Sequence, residues 1–165
     1  MTINIRRAQK EDGAALLRLI DALADFEKLA RPDAAARARL LGDAFREPPR
    51  FEAFLADVDG QSVGYAFVFE TYSSFLALPT LYLEDLFVLP EFRGRGIGYT
   101  LFRHCVELAA ERGCGRMEWS VLDWNVPAQR FYERLGARRL NEWLYYRLVR
   151  EDMERILSAR RSTNA

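Results

Sequence analysis

The chain opens on a short alternation, Ile3-Asn4-Ile5-Arg6, in which apolar side chains two apart share one face of a strand. The period then lengthens. Ala15, Leu16, Leu19, Ile20, Leu23 and Phe26 recur at helical spacing, so they form one stripe of a helix. Pro32-Asp33 opens a second helical stretch through Leu40, Leu41 and Phe45, which Pro48-Pro49 must stop because proline has no amide N–H to give the helix. Phe51 to Val58 and Ser62 to Thr71 read as strands joined by Asp59-Gly60, a dipeptide that tolerates the positive φ angles of a tight hairpin. Leu81 to Val88 is a further apolar strand. A helix from about Gly96 to Arg112 follows, with Ile97, Leu101, Cys105 and Leu108 on one stripe, and Gly113 and Gly115 end it. Arg116 to Leu122 reads as another strand. Asn125 is placed to cap a short helix from Val126 to Leu135 that Gly136 stops, and Trp143 to Val149 reads as a strand. Beyond Arg150 a last amphipathic turn or two leads into a polar tail, Arg160 to Ala165.

This order of elements, with no internal repeat or linker, predicts one α/β domain over residues 1–159 that mixes hairpin and crossover connections. Composition agrees: half of the 165 residues are hydrophobic, enough for a core without disulfides or a structural metal. Cys105 and Cys114 stand alone, without a partner pair at metal-ligand spacing, and suggest reduced thiols in a cytoplasmic setting. No apolar run is long enough to span a membrane, and no long apolar segment follows the first arginines as in a signal peptide. The 24 basic and 24 acidic residues cancel, which argues against nucleic acid as a partner.

The chemistry begins at Arg93-Gly94-Arg95-Gly96-Ile97-Gly98, between a strand and a helix. Free amides and the helix dipole converge there on an anion, glycines let the backbone come close to phosphate oxygens, and arginines add charge. The segment has no lysine for a P-loop, and its glycines do not follow the dinucleotide-binding spacing. It does fit Arg/Gln-x-x-Gly-x-Gly/Ala, the pyrophosphate loop of GNAT acetyltransferases. Leu81-Tyr82-Leu83-Glu84-Asp85-Leu86-Phe87-Val88, Leu122-Asp123-Trp124-Asn125 and Phe131-Tyr132-Glu133-Arg134-Leu135-Gly136-Ala137 resemble successive segments of one GNAT branch, that of spermidine/spermine, diamine, thialysine and ornithine acetyltransferases. Leu23-Ala24-Asp25-Phe26-Glu27 is similar to the end of that group's first helix.

The resemblance implies the GNAT fold, a splayed mixed sheet of about six to seven strands with helices on both faces and acetyl-CoA in the cleft. It implies that backbone groups of Leu86, Phe87 and Val88 pair with pantetheine, that the loop from Arg93 and Gly94 through Arg95, Gly96, Ile97, Gly98 and Tyr99 holds the pyrophosphate, and that Asn125, Val126, Pro127 and Ala128 border the cofactor from the other side. A homodimer follows from the family alone.

An alkyl amine of pKa near ~10.4 must lose a proton before it attacks, which costs roughly 4–5 kcal/mol at pH 7, and a departing thiolate gains from protonation. A general base and a general acid are expected. Glu84 and Asp85 interrupt an apolar strand, so unless a bulge intervenes at least one acid faces covered space, either in a site or paired with a helix arginine. By the resemblance, Glu84 takes the amine proton, directly or through water, and Tyr132 is the acid facing the CoA sulfur. Phe26, Glu27, Glu84, Asp85 and Glu142 match or flank positions that line the amine site, and several acids favour a cation. His104, the sole histidine, has no catalytic partners in sequence, and Cys105 falls on the apolar stripe, which disfavours an acyl-cysteine route. No metal site is expected.

The expected activity is direct acetyl transfer, in a ternary complex, from acetyl-CoA to a small basic amine. The segment Tyr72 to Thr80 lacks the Asp-Pro-Trp of polyamine acetyltransferases, which favours a short diamine, ornithine, lysine or thialysine over spermine. A protein or peptide N-acetyltransferase and a CoA-binding module without turnover are the competing readings.

Overall fold

A computed structural model describes residues 2–162, in two compact units that meet at Ser120 and Val121. The first unit is an α/β layer structure. Strand β1 (Ile3–Arg7) is followed by a single 3-10 turn and helix α1 (Gly13–Glu27), then α2 (Ala34–Ala44), β2 (Glu52–Val58), β3 (Gln61–Ser73), β4 (Leu78–Val88), α3 (Ile97–Glu111) and β5 (Arg116–Glu118). The strands lie side by side in the order of the sequence, antiparallel from β1 to β4, with β5 parallel to β4. The sheet is thus mixed, as expected, with five strands.

Local chemistry explains most boundaries. The Asp33 carboxylate accepts the Ala36 N–H at 2.7 Å and starts α2. Asp59 and Gly60 both adopt positive φ, 49° and 81°, and close the β2–β3 hairpin. α3 begins directly after Gly96, which sits at φ 81°.

The sheet is covered on both faces. A Cβ on Gly64 would lie 3.3 Å from Leu101 of α3 and only 2.7 Å from the Phe87 carbonyl, so only glycine lets β3 and β4 meet beneath that helix. The next residue, Tyr65, points to the other face, where its ring and that of Phe26 on α1 both lean against Phe87. Leu16 and Leu19 of α1, Leu55 of β2, Leu81 and Leu83 of β4, and Ile97 and Leu101 of α3 are almost wholly buried. Each such side chain stabilises the fold by roughly 1.5–3 kcal/mol. Arg112, just beyond α3, bridges Glu52 of β2 and Glu70 of β3, and Glu52 also pairs with Arg7 of β1.

Two register shifts matter. On β3, Ala56 of β2 faces Gly64 while Asp57 faces Ser62, so Val63 is the extra residue. On β4, Phe67 faces Asp85 while Val68 faces Leu83, so Glu84 is bulged out of the ladder. The parallel pairing with β5 covers only Thr80 to Tyr82. From Leu83 to Val88 the other edge of β4 therefore has no partner strand among the described residues.

The second unit holds α4 (Val126–Arg134) and α5 (Arg150–Ser162). Asn125 Oδ1 accepts the Ala128 N–H at 3.3 Å and caps α4, and Gly136, at φ 89°, follows its end. The expected strand over Trp143–Val149 is not formed. A strand needs a neighbour to pair with, and the described residues of this unit contain no other strand. Similarly, the strand expected through Leu122 stops at Glu118. α5 is longer than the turn or two expected and reaches into the anticipated tail; residues 163–165 of that tail lie outside the described residues. No helix among the described residues is long and apolar enough to cross a membrane.

Candidate active site

At the end of α1 and the middle of β4, five of the residues singled out in the sequence come together. Phe26 leans on Phe87 with ring centroids 6.3 Å apart, and the charges of Glu27 and Glu84 both act on Asp85. The bulge separates the roles of the two adjacent acids. Glu84 is exposed, whereas Asp85 is largely covered and lies on the α1 side with Phe87 and Tyr65. Tyr65, fully buried, donates its hydroxyl to Asp85 Oδ2 at 2.9 Å.

Burial is the largest influence on the Asp85 carboxyl and drives its pKa up; the Tyr65 hydrogen bond opposes this, and Glu84 and Glu27 add to the rise, giving a value of about 6. Burial also raises Glu27 above the ordinary carboxylate range. Burial, followed by Asp85, pushes Tyr65 well above the usual phenol value. The alternative of an arginine partner from the helices is not realised: no Lys or Arg of the described residues pairs with Glu27, Glu84 or Asp85. Three acids with no cation partner among the described residues make a site suited to a cationic molecule.

The loop after β4 is organised by its glycines. Gly94 and Gly96 hold φ 73° and 81°, and a Cβ placed on either meets no heavy atom within 4 Å. Gly98 lies within α3, against Val88. Ile97 is buried and anchors the helix start, while Tyr99 is half exposed. The arginines differ from what charge alone suggests. Arg93 Nε donates to the Val88 carbonyl at 2.9 Å, and its guanidinium lies over Phe26 and Phe87 at 4.6 and 5.4 Å from their centroids. Arg95 donates to the Glu91 carbonyl and covers Phe92.

The second unit carries the remaining candidates. Tyr132 stands on α4 with its ring 5.1 Å from that of Phe131, Asn125 to Ala128 form the start of that helix, and Glu142 is exposed. His104 packs edge-on against Phe54 at 4.5 Å, and burial pushes the Cys105 thiol up to about 12, so neither is poised for chemistry. Among the described residues no group of His, Cys, Asp and Glu is arranged to hold a metal.

Tyr65 was missed in the sequence. Its only signal is an aromatic residue between Gly64 and Ala66 in an apolar strand, and its polar partner emerges only from the β3–β4 register.

A covered sheet, a glycine loop that opens a helix and an unpaired strand edge beside an acidic site define an acyltransferase architecture. The chain belongs to the acetyltransferase (GNAT) family, whose model matches residues 16–137, and it is an acetyltransferase. It is 36% identical over 163 residues to thialysine N-epsilon-acetyltransferase of Mus musculus, covering 92% of this chain and 95% of that protein. It is 39% identical over 112 residues to L-ornithine N5-acetyltransferase of Arabidopsis thaliana, covering 67% of this chain and 49% of that one. Among solved structures, an integron cassette protein from V. cholerae superposes with a TM-score of 0.81 at 24% identity, over 95% of this chain and 98% of that one.

Proposed function

We propose that residues 1–159 form one acetyl-CoA-dependent domain that acetylates a primary amine of a small basic metabolite: a short diamine, ornithine, lysine or thialysine. The observation that carries the reading is the acidic site of Glu27, Glu84 and Asp85, unpaired with any cation among the described residues and set beside the free edge of β4. The thialysine and ornithine acetyltransferases to which the chain is similar support an amine acceptor of this kind.

The chain's residues fit the co-substrate. The free edge from Leu86 to Val88 can take up the pantetheine amides as a strand would. Gly94, Gly96 and the first amides of α3 leave open space for a pyrophosphate. Asn125 to Ala128, at the start of α4, are proposed to border the same molecule. Bound acetyl-CoA would supply the thioester that the amine attacks.

Around it, Asp85 and Glu27 hold the ammonium form of the acceptor, with Phe26 and Glu142 bordering it. Glu84, exposed on the bulge, takes one proton from it directly or through water and so frees the nitrogen lone pair. As the new C–N bond replaces the C–S bond in a ternary complex, the Tyr132 hydroxyl gives its proton to the departing sulfur, and the second proton that the nitrogen sheds on becoming an amide restores the Tyr132 hydroxyl through solvent. The reading retains the homodimer and cytoplasmic setting expected from the sequence.

Calorimetry with acetyl-CoA followed by thiol release over diamines, basic amino acids and peptides tests this. Binding with thiol release on small basic amines is expected. Binding without release on any amine marks a module without turnover, and release on peptides alone marks a protein acetyltransferase. Tyr132→Phe should bind acetyl-CoA as before and turn over about 100- to 10,000-fold more slowly.

A further inference from the structure

We infer that Tyr65 is a positioning residue of the amine site, holding Asp85 by one oxygen in the charged form that a cationic acceptor requires. The inference rests on the amine-site reading given above.

The geometry leaves the Tyr65 hydroxyl one task. Tyr65 has zero exposure, and a buried phenol that found no partner would lose its hydrogen bond to water without replacement. Its partner is the carboxylate of Asp85, reached diagonally across the β3–β4 ladder at 2.9 Å. The hydrogen bond occupies Oδ2, and Oδ1 has no donor among the described residues, so Oδ1 is the oxygen left for an ammonium.

The groups around Asp85 come from three elements and the loop. Glu84 of β4 and Glu27 of α1 are both acids and both oppose its ionisation, while Arg93 of the loop is committed to Phe26, Phe87 and the Val88 carbonyl. Tyr65 of β3 supplies the one influence that favours the charged form, and the carboxyl still titrates at about 6. Without the hydroxyl, the acid is left to burial and like charge, and protonates nearer neutrality. The aromatic contact of Tyr65 with Phe87, at 6.4 Å between centroids, needs only a ring. Tyr65→Phe therefore removes the hydroxyl and keeps the packing.

Two measurements on the full chain test this. Carboxyl ¹³C NMR titration reads Asp85 directly in wild type and Tyr65→Phe, assigned by the signal missing in Asp85→Asn. The acid limb of kcat/KM for ornithine, thialysine or diaminopropane is followed between pH 5 and 9. The expected result in Tyr65→Phe is an upward move of both the Asp85 midpoint and the acid limb by about one to two pH units, with acetyl-CoA affinity unchanged. An unmoved Asp85 midpoint, or a fall in kcat/KM that is uniform across pH, overturns the inference. A moved midpoint in a protein that acetylates none of these amines overturns the proposed substrate class and leaves the Tyr65–Asp85 coupling standing. Should Tyr65→Phe fail to fold, wild type and Asp85→Asn decide: an acid limb that persists unchanged without the Asp85 carboxyl refutes the inference, and its disappearance supports it.

Discussion

Asp85 is a residue the fold would be more stable without. Its folded pKa, about 6, lies above the ordinary 3.8. Below both values the carboxyl is neutral in both states and adds no penalty. As pH rises through this window the unfolded chain releases its proton first, so stability falls, by about 3 kcal/mol once pH exceeds the folded value. Asp85→Asn should accordingly raise Tm at pH 7 to 8 and flatten the decline between pH 4 and 6, while lowering kcat/KM for basic amines. Thermal melts across pH read this, and a variant with the wild-type profile would show that Asp85 carries no buried-charge penalty. At this scale the sequence was partly legible. Strand alternation put an acid of the Glu84-Asp85 pair in covered space only if no bulge intervened; a bulge does fall at Glu84, Asp85 is the covered acid, and a bulge is a property of two strands together. For the same reason Tyr65 carried no legible sign of its partner.

Among the elements, the segment joining β4 to α3 carries the clearest division of labour. Gly94 and Gly96 need positive φ, and the Arg93 side chain ties the loop back to the strand end and the aromatic pair. Gly96→Val meets no protein atom but is strained at φ 81°, and its side chain would project into the space proposed for the pyrophosphate. It should weaken acetyl-CoA binding by tenfold or more, about 1.4 kcal/mol or above, in calorimetry; unchanged affinity would remove the loop from the cofactor site. Helix boundaries and the first hairpin were legible because their signals are local: Asp33 and Asn125 cap, Asp59-Gly60 turns, Gly136 follows a helix end. The strands expected over 119–122 and 143–149 are not formed, because β-branched and aromatic composition permits a strand but only a neighbour makes one.

Over the whole molecule, net charge is zero while one locality concentrates acids without counterions among the described residues. The proposed selectivity for a cation would come from placement and not from a general field, and the proposed preference for a short acceptor over a long polyamine rests on the segment Tyr72 to Thr80, which lacks the Asp-Pro-Trp of polyamine acetyltransferases. The family could be read from the loop and flanking motifs; the strand order and the free edge of β4 could not, since they depend on how far β5 pairs. The central claim, acetyl transfer to a short basic amine, is tested most directly by competition. Equimolar ornithine, thialysine, diaminopropane, spermine and a lysine peptide are offered with acetyl-CoA, and acetylated products are resolved by mass spectrometry, so that initial product ratios equal ratios of kcat/KM. The account predicts that the acetylated ornithine, thialysine or diaminopropane dominates; a product pool dominated by acetylspermine, or by acetylated peptide, would contradict it.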